Sequence, residues 1–215
     1  MENLELEYHQ NIANAYDLLR VVFFNQWRKE TLLELRQKAE TLKSAFKKTA
    51  FVQDIEVLEG DALDEARWEY NRLFIGPQKP LATPFESVYR SKKKLMMRES
   101  TFEVREFYAN VGLEVERKDH FPDDFIGFEF QYLFYVSQLT VALIENKKEE
   151  DAIALILERK DFLQQHPNQW FPAFCDDISN HSKEKIWKDL ADFILNISKQ
   201  EETFFELFSI KNKEK

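Results

Sequence analysis

The sequence predicts an all-α fold, a single-domain bundle of about eight to ten helices with one long proline-containing loop. Three observations carry that prediction. Apolar residues recur at steps of three and four along nearly the whole chain, the period of one helix face. Four glycines and six prolines stand in 215 residues, under half the roughly 12% share usual for these turn formers. A sandwich or barrel needs a turn signal every ~8–12 residues. The glycines Gly60, Gly76, Gly112 and Gly127 each stand alone, which also argues against a Gly-rich phosphate loop. A chain of this size buries roughly 70% of its unfolded surface, so it needs no disulfide or metal staple. Residues 1–210 are expected to form the one domain, with 211–215 a charged, frayed tail.

The elements follow in order. Ile12, Ala15, Tyr16, Leu19 and Phe23 trace the first stripe; Leu32, Leu35, Ala39, Leu42 and Phe46 trace the second. A short segment over 51–58 is closed by Gly60. Asp61 is placed to cap a helix running to about Ile75, with Leu63, Ala66, Tyr70, Leu73 and Phe74 inward; Trp68 lies off that stripe and is expected at the surface. Gly76-Pro77 stops this helix. Residues 76–94 hold half the prolines and form the one long loop. Ser100-Thr101-Phe102-Glu103 spells a capping box for a helix that ends at Gly112. Pro122-Asp123-Asp124 opens the next helix, with carboxylates at its positive end and Phe128, Tyr132, Val136 and Leu139 on one face. A helix over 149–166 is stopped by Pro167. A last one over 183–208 carries Trp187, Leu190, Phe193, Ile194 and Ile197.

Charge and composition exclude several functions. Thirty Lys and Arg face 39 Asp and Glu, a net charge of −9, which argues against a nucleic-acid partner. The one basic run, Lys92-Lys93-Lys94 with Arg90 and Arg98 beside it, reads as a solvated loop. A single cysteine, Cys175, permits no internal disulfide and reads as a small buried hydrophobe. The acidic first residues lack the form of a signal peptide. The longest nearly apolar stretch, 132–144, is short of the ~20 residues a membrane span needs. A cytoplasmic protein without stable membrane insertion is expected. The histidines His9, His120, His166 and His181 are scattered, and no Glu-x-x-His pair is present. No catalytic residue, metal or cofactor is assigned.

Two constellations stand out. Tyr70, Leu73 and Phe74 end one helix, and Pro84-Phe85-Glu86-Ser87-Val88-Tyr89 follow in the long loop. Glu86 lies among apolar neighbours, where a carboxylate needs a partner. It serves either a binding site or a packed loop, capping backbone or pairing with Arg72. The second is His120-Phe121-Pro122-Asp123-Asp124, with Glu129 beyond it: simple capping, or an acidic patch for cationic side chains. A carboxylate-dependent hydrolase using Asp123, Asp124 and Glu129 is a further alternative.

These segments, in this order, resemble the TorD/DmsD/NarJ family of cytoplasmic molybdoenzyme maturation chaperones. The resemblance rests on Tyr70 to Pro77, Pro84 to Tyr89, Tyr108 to Leu113, Pro122-Asp123-Asp124 with Glu129, and a stretch from Phe162 to Pro172 holding His166 and Trp170. It covers about residues 63–175. Phe125 stands where the family has histidine, and Pro167 where it tends to have leucine. The resemblance implies a binding protein and not an enzyme: a system-specific chaperone holding the twin-arginine leader, the apo-form of a molybdoenzyme precursor, or both, until cofactor insertion and export. An assembly factor of the NarJ type, whose client is not exported, is the alternative. Tyr70, Leu73, Phe74, Pro84, Phe85, Glu86, Ser87 and Tyr89 would form an aromatic groove, and Pro122, Asp123, Asp124, Phe125 and Glu129 an acidic patch for the leader arginines. The chain is expected as a monomer or a helix-exchanged dimer. No motif supports a bound nucleotide or molybdenum cofactor.

Overall fold

The computed structural model describes residues 3–42, 44–116 and 121–213. Eleven α-helices occur among them: α1 (Asn3–Phe24), α2 (Lys29–Thr41), α3 (Ser44–Lys47), α4 (Ala50–Val57), α5 (Gly60–Tyr70), α6 (Glu86–Arg90), α7 (Glu99–Asn110), α8 (Ile126–Glu145), α9 (Glu149–Gln165), α10 (Pro167–His181) and α11 (Lys185–Lys213). A π-helical turn, Asn71–Ile75, prolongs α5. Nine of the helices have eight residues or more, and one isolated bridge, Phe85 to Phe125, is the only β pairing among the described residues.

The core is built around α1, which lies along α8. Its expected stripe is fully buried, and so are Ala13, Leu18, Val21 and Val22 on its other sides. A helix buried on several sides lies in the middle of a bundle. α8 is likewise held between α1 and α9. This corrects the expected face: Tyr132 and Val136 are buried, but Phe128 and Leu139 are only half-buried, and Ile126, Phe130, Leu133 and Thr140 complete the inner surface. The stripes of α2 and α11 are buried as expected, with Phe46 supplied by α3.

Several boundaries differ. Asp61 lies in the first turn of α5, and the N-cap is Glu59. α7 begins at Glu99, and its capping box joins Arg98 to Thr101, so the expected register is two residues late. Asp123 and Asp124 precede α8, whose N-cap is Phe125. α9 ends at Gln165, just before Pro167 as expected, and Pro167 is also the first residue of α10, where its missing N–H is no loss. α11 runs to Lys213, so only 214–215 of the expected tail lie outside the described residues.

A buried polar knot ties four helices. Arg159 of α9 donates from Nη2 to Glu201 Oε2 of α11 at 3.1 Å and from Nη1 to Ser137 Oγ of α8 at 3.1 Å. Tyr8 and Tyr16 of α1 donate to the two Glu201 oxygens at 2.8 and 3.1 Å. His9 Nδ1 lies 3.2 Å from Arg159 Nη1. Burial, then the adjacent guanidinium, pushes the His9 pKa down to about 2, so the ring is neutral and accepts. Buried charges persist when paired in this way.

Candidate functional site

The site begins at the π turn. Its wider winding sends Leu73 and Phe74 inward together and leaves Ile75 outside. The Leu73 carbonyl would ordinarily bond the N–H four residues on, but that residue is Pro77, which has none. Leu73 O accepts instead from Ala82 N at 2.9 Å, folding the loop back onto the helix. Gly76 makes the corner at φ +128°, a conformation L side chains rarely adopt, and an added Cβ would lie 2.9 Å from Gln78 O.

The returning loop meets the segment before α8. Glu86 N donates to Asp124 O at 3.1 Å and Ile126 N to Pro84 O at 3.0 Å, giving the Phe85–Phe125 bridge. Beneath it, Asp124 is wholly buried. Its Oδ2 accepts from Ser87 N at 2.7 Å and its Oδ1 from Thr101 Oγ1 at 2.9 Å. Asp124 therefore caps α6, not the helix that follows it, and ties α6 to α7. Asp123 stays near the surface, where Arg105 Nε donates to it at 3.0 Å.

Glu86 is also fully buried. Arg90, one turn on, donates to its Oε1 at 2.7 Å, and His166 Nδ1 lies 3.1 and 3.0 Å from its two oxygens. The expected partner Arg72 is engaged elsewhere, with Glu69 and with the His181 carbonyl at 2.6 Å. Glu129, the third buried carboxyl, accepts from Trp170 Nε1 at 3.2 Å through Oε2; Oε1 has no hydrogen-bond partner. Burial, then the fields of Glu86 and Asp124, holds the Glu129 pKa well above the usual carboxylate range, against the Trp170 N–H. Ser87 Oγ and His166 Nε2 are likewise buried without a partner. Three acids thus share one interior site with Arg90 and His166 (and three polar atoms remain unbonded there).

The aromatic residues occupy different places from those expected. Tyr70, Leu73 and Phe74 are core, and Tyr70 OH donates to Phe23 O at 3.1 Å. Pro84, Phe85, Ser87 and Pro122 are buried too, so no open groove is formed by these side chains. Tyr89 is half-buried, with its OH donating to Asp177 at 3.0 Å. Phe125 stacks on Phe121 at 4.7 Å and packs near Phe24 and Phe128. Gly127 admits that ring: a Cβ there would lie 2.5 Å from Phe125 Cε1. His120 lies outside the described residues. Trp68 is 71% exposed and lines a surface cleft of about 770 Å³ with Arg67, Arg72, Pro77 and Leu81.

Arg90, Thr101, His166 and Trp170 join the site without having been chosen for it. Arg90 was readable as the i+4 partner of Glu86. His166 and Trp170 sit four apart in the stretch that carried the family resemblance. Among the described residues, no group of three His, Cys, Asp or Glu side chains is arranged to hold a metal. No helix among them is long and apolar enough to cross a membrane.

The architecture is an all-α bundle whose two loops, joined by one bridge, close over an internal acid cluster. The chain belongs to the nitrate reductase delta subunit family, which it matches over residues 13–176. It is similar to the chaperone protein TorD of Vibrio cholerae serotype O1 (strain ATCC 39541), with 25% identity over 143 residues, 66% of this chain and 62% of the relative. It is similar also to the Tat proofreading chaperone DmsD of Salmonella typhi, with 24% identity over 121 residues, 56% of this chain and 52% of the relative. The matched stretch thus spans under two thirds of these relatives' length. Both are named as chaperones, not as catalysts. The fold is shared with a crystal structure from Archaeoglobus fulgidus described as a candidate redox enzyme maturation protein, at a TM-score of 0.56 and 18% identity, covering 85% of this chain and 90% of that one.

Proposed function

We propose that this chain is a cytoplasmic maturation chaperone for a molybdenum-containing redox enzyme, and that it holds the precursor through the precursor's twin-arginine leader. The observation that carries this reading is the buried acid cluster of Glu86, Asp124 and Glu129, with the Glu129 Oε1 left unbonded. Arg90 already serves Glu86, and Glu129 Oε1 is the carboxyl oxygen of the cluster that no donor reaches; a further guanidinium would bring it donors and a permanent charge. Entry requires the two loops to part, and the bridge between them rests on two backbone hydrogen bonds. The phenylalanines around Phe125 lie beside that opening and suit the apolar half of a leader. The net charge of −9 favours encounter with a basic peptide.

The test is fluorescence anisotropy of a labelled leader peptide. Binding at micromolar strength or tighter is expected, falling about tenfold or more when both arginines become glutamine. Glu129→Gln is expected to weaken binding by a similar factor while leaving the fold intact, since glutamine still accepts from Trp170. Equal affinity for the two peptides would refute the leader reading. The family's description as a nitrate reductase delta subunit favours a second reading, an assembly factor whose client keeps no leader. Co-purification with such a client, without leader binding, would select it.

A further inference from the structure

We propose that the turn between α6 and α7 is a docking element for anionic lipid surfaces. Residues 92–99 are all exposed, eight in a row. They begin with Lys92, Lys93 and Lys94, continue with Leu95, Met96 and Met97 at 41, 47 and 65% exposure, and reach Arg98. Scattered surface hydrophobics need no explanation, but three adjacent ones do. Among the described residues none of the three lysines has a carboxylate partner.

The turn is built rather than loose. Ser91, at the end of α6, holds it from inside: its Oγ accepts from Leu95 N at 2.8 Å, and its carbonyl accepts from Lys94 N at 3.0 Å. Thr101 Oγ1 holds the other end, accepting from Arg98 N at 3.2 Å. Lys94 and Met97 both sit at positive φ, +50° and +56°, and only one other described non-glycine residue, Lys147, does so. Such strain persists only where the surroundings enforce it, and it gathers at functional segments. Here it keeps Leu95, Met96 and Met97 outside.

The chemistry selects the occupant. Protein interfaces favour arginine and deplete lysine, because an interface asks for fixed donor geometry. Lysines interleaved with flexible apolar side chains on a projecting turn suit a fluid surface, with ammonium groups at the headgroups and Leu and Met just below. An anionic leaflet attracts each nearby lysine by a small increment. The acidic remainder of the chain repels such a surface, but that repulsion is screened beyond about 8 Å in physiological salt, so the turn acts at contact.

Vesicle flotation of the full chain tests this. Binding is expected to phosphatidylcholine vesicles holding about 30 mol% phosphatidylglycerol, and not to phosphatidylcholine alone. Lys92→Glu with Lys93→Glu is expected to lower the partition coefficient roughly 30-fold or more, and Met96→Ser with Met97→Ser about tenfold. All four side chains are exposed, so unchanged melting temperatures verify folding. Failure to float with anionic vesicles, or equal flotation of the variants, overturns the proposal. So does a result in which the variants lose an acidic polypeptide partner and no lipid. None of these outcomes depends on leader binding.

Discussion

Glu129 concentrates the electrostatics of the site in one side chain. It is fully buried, one oxygen is bonded to the Trp170 indole, the other has no partner, and its pKa is held well above the ordinary 4.5. A carboxyl whose folded pKa exceeds its unfolded value binds its proton more tightly when folded. Its contribution is whole below about pH 4.5 and is lost as pH rises toward the elevated folded value. Glu129→Gln keeps the acceptor and removes the titration. The variant is expected to melt near the wild type at pH 4 and above it at pH 8, by about 2–4 °C for each kcal/mol recovered. Circular dichroism at the two pH values reads this, and an equal difference at both would show that the titration is not responsible. Phe125 is the second telling residue. Its ring is accommodated because Gly127 has no Cβ to meet it. From the sequence Gly127 was legible only as a glycine standing alone; its structural reason was not, because that reason is a ring two residues back and turned onto it.

At the scale of elements, α6 is the informative one. A five-residue helix does not stand alone in water. It is held by Asp124 at its N-terminus, by Arg90 on Glu86 and by Tyr89 on Asp177. Asp124→Ala leaves Ser87 N–H and the Thr101 hydroxyl without their buried acceptor and is expected to cost about 2–4 kcal/mol. Hydrogen exchange at residues 86–91 should then rise, with α9 and α11 unaffected. Protection retained there would mean that α6 owes its order to packing alone. The sequence presents Asp123-Asp124 as a local cap, since local capping is what adjacent carboxylates before an apolar run ordinarily do. The true recipient of Asp124 lies 37 residues upstream, and no spacing rule reaches that far. Helix periodicity, by contrast, depends only on neighbours three and four apart. That is why the stripes of α1, α2 and α11 were legible; the cap of α7 was misplaced by two residues because Arg98, not a usual capping residue, takes the position that Ser100 was expected to fill.

Across the whole molecule, the bundle is fastened by a charge pair that periodicity conceals. Arg159 lies in a strongly charged stretch, Glu158-Arg159-Lys160-Asp161, which reads as a solvated face. It is nonetheless fully buried and joins α9 to α8 and α11, while Tyr8 and Tyr16 bring in α1. The carboxylate that explains it is 42 residues away, so the pairing emerges only once four helices have assembled. Removing one partner strands the other in the interior. Arg159→Leu is expected to destabilise by about 3–5 kcal/mol, because Glu201 would keep its tyrosine donors but lose its counter-charge. Adding Glu201→Leu to that variant removes the stranded charge and is expected to recover a large part of the loss, as buried pairs replaced together by apolar groups often do. Urea unfolding of wild type, both single variants and the double variant closes the cycle. Strong coupling between the two positions, with leader affinity unchanged in the double variant, would separate the fastening of the bundle from the acid cluster. Additive losses would instead mean that Arg159 and Glu201 stabilise the bundle independently, through packing.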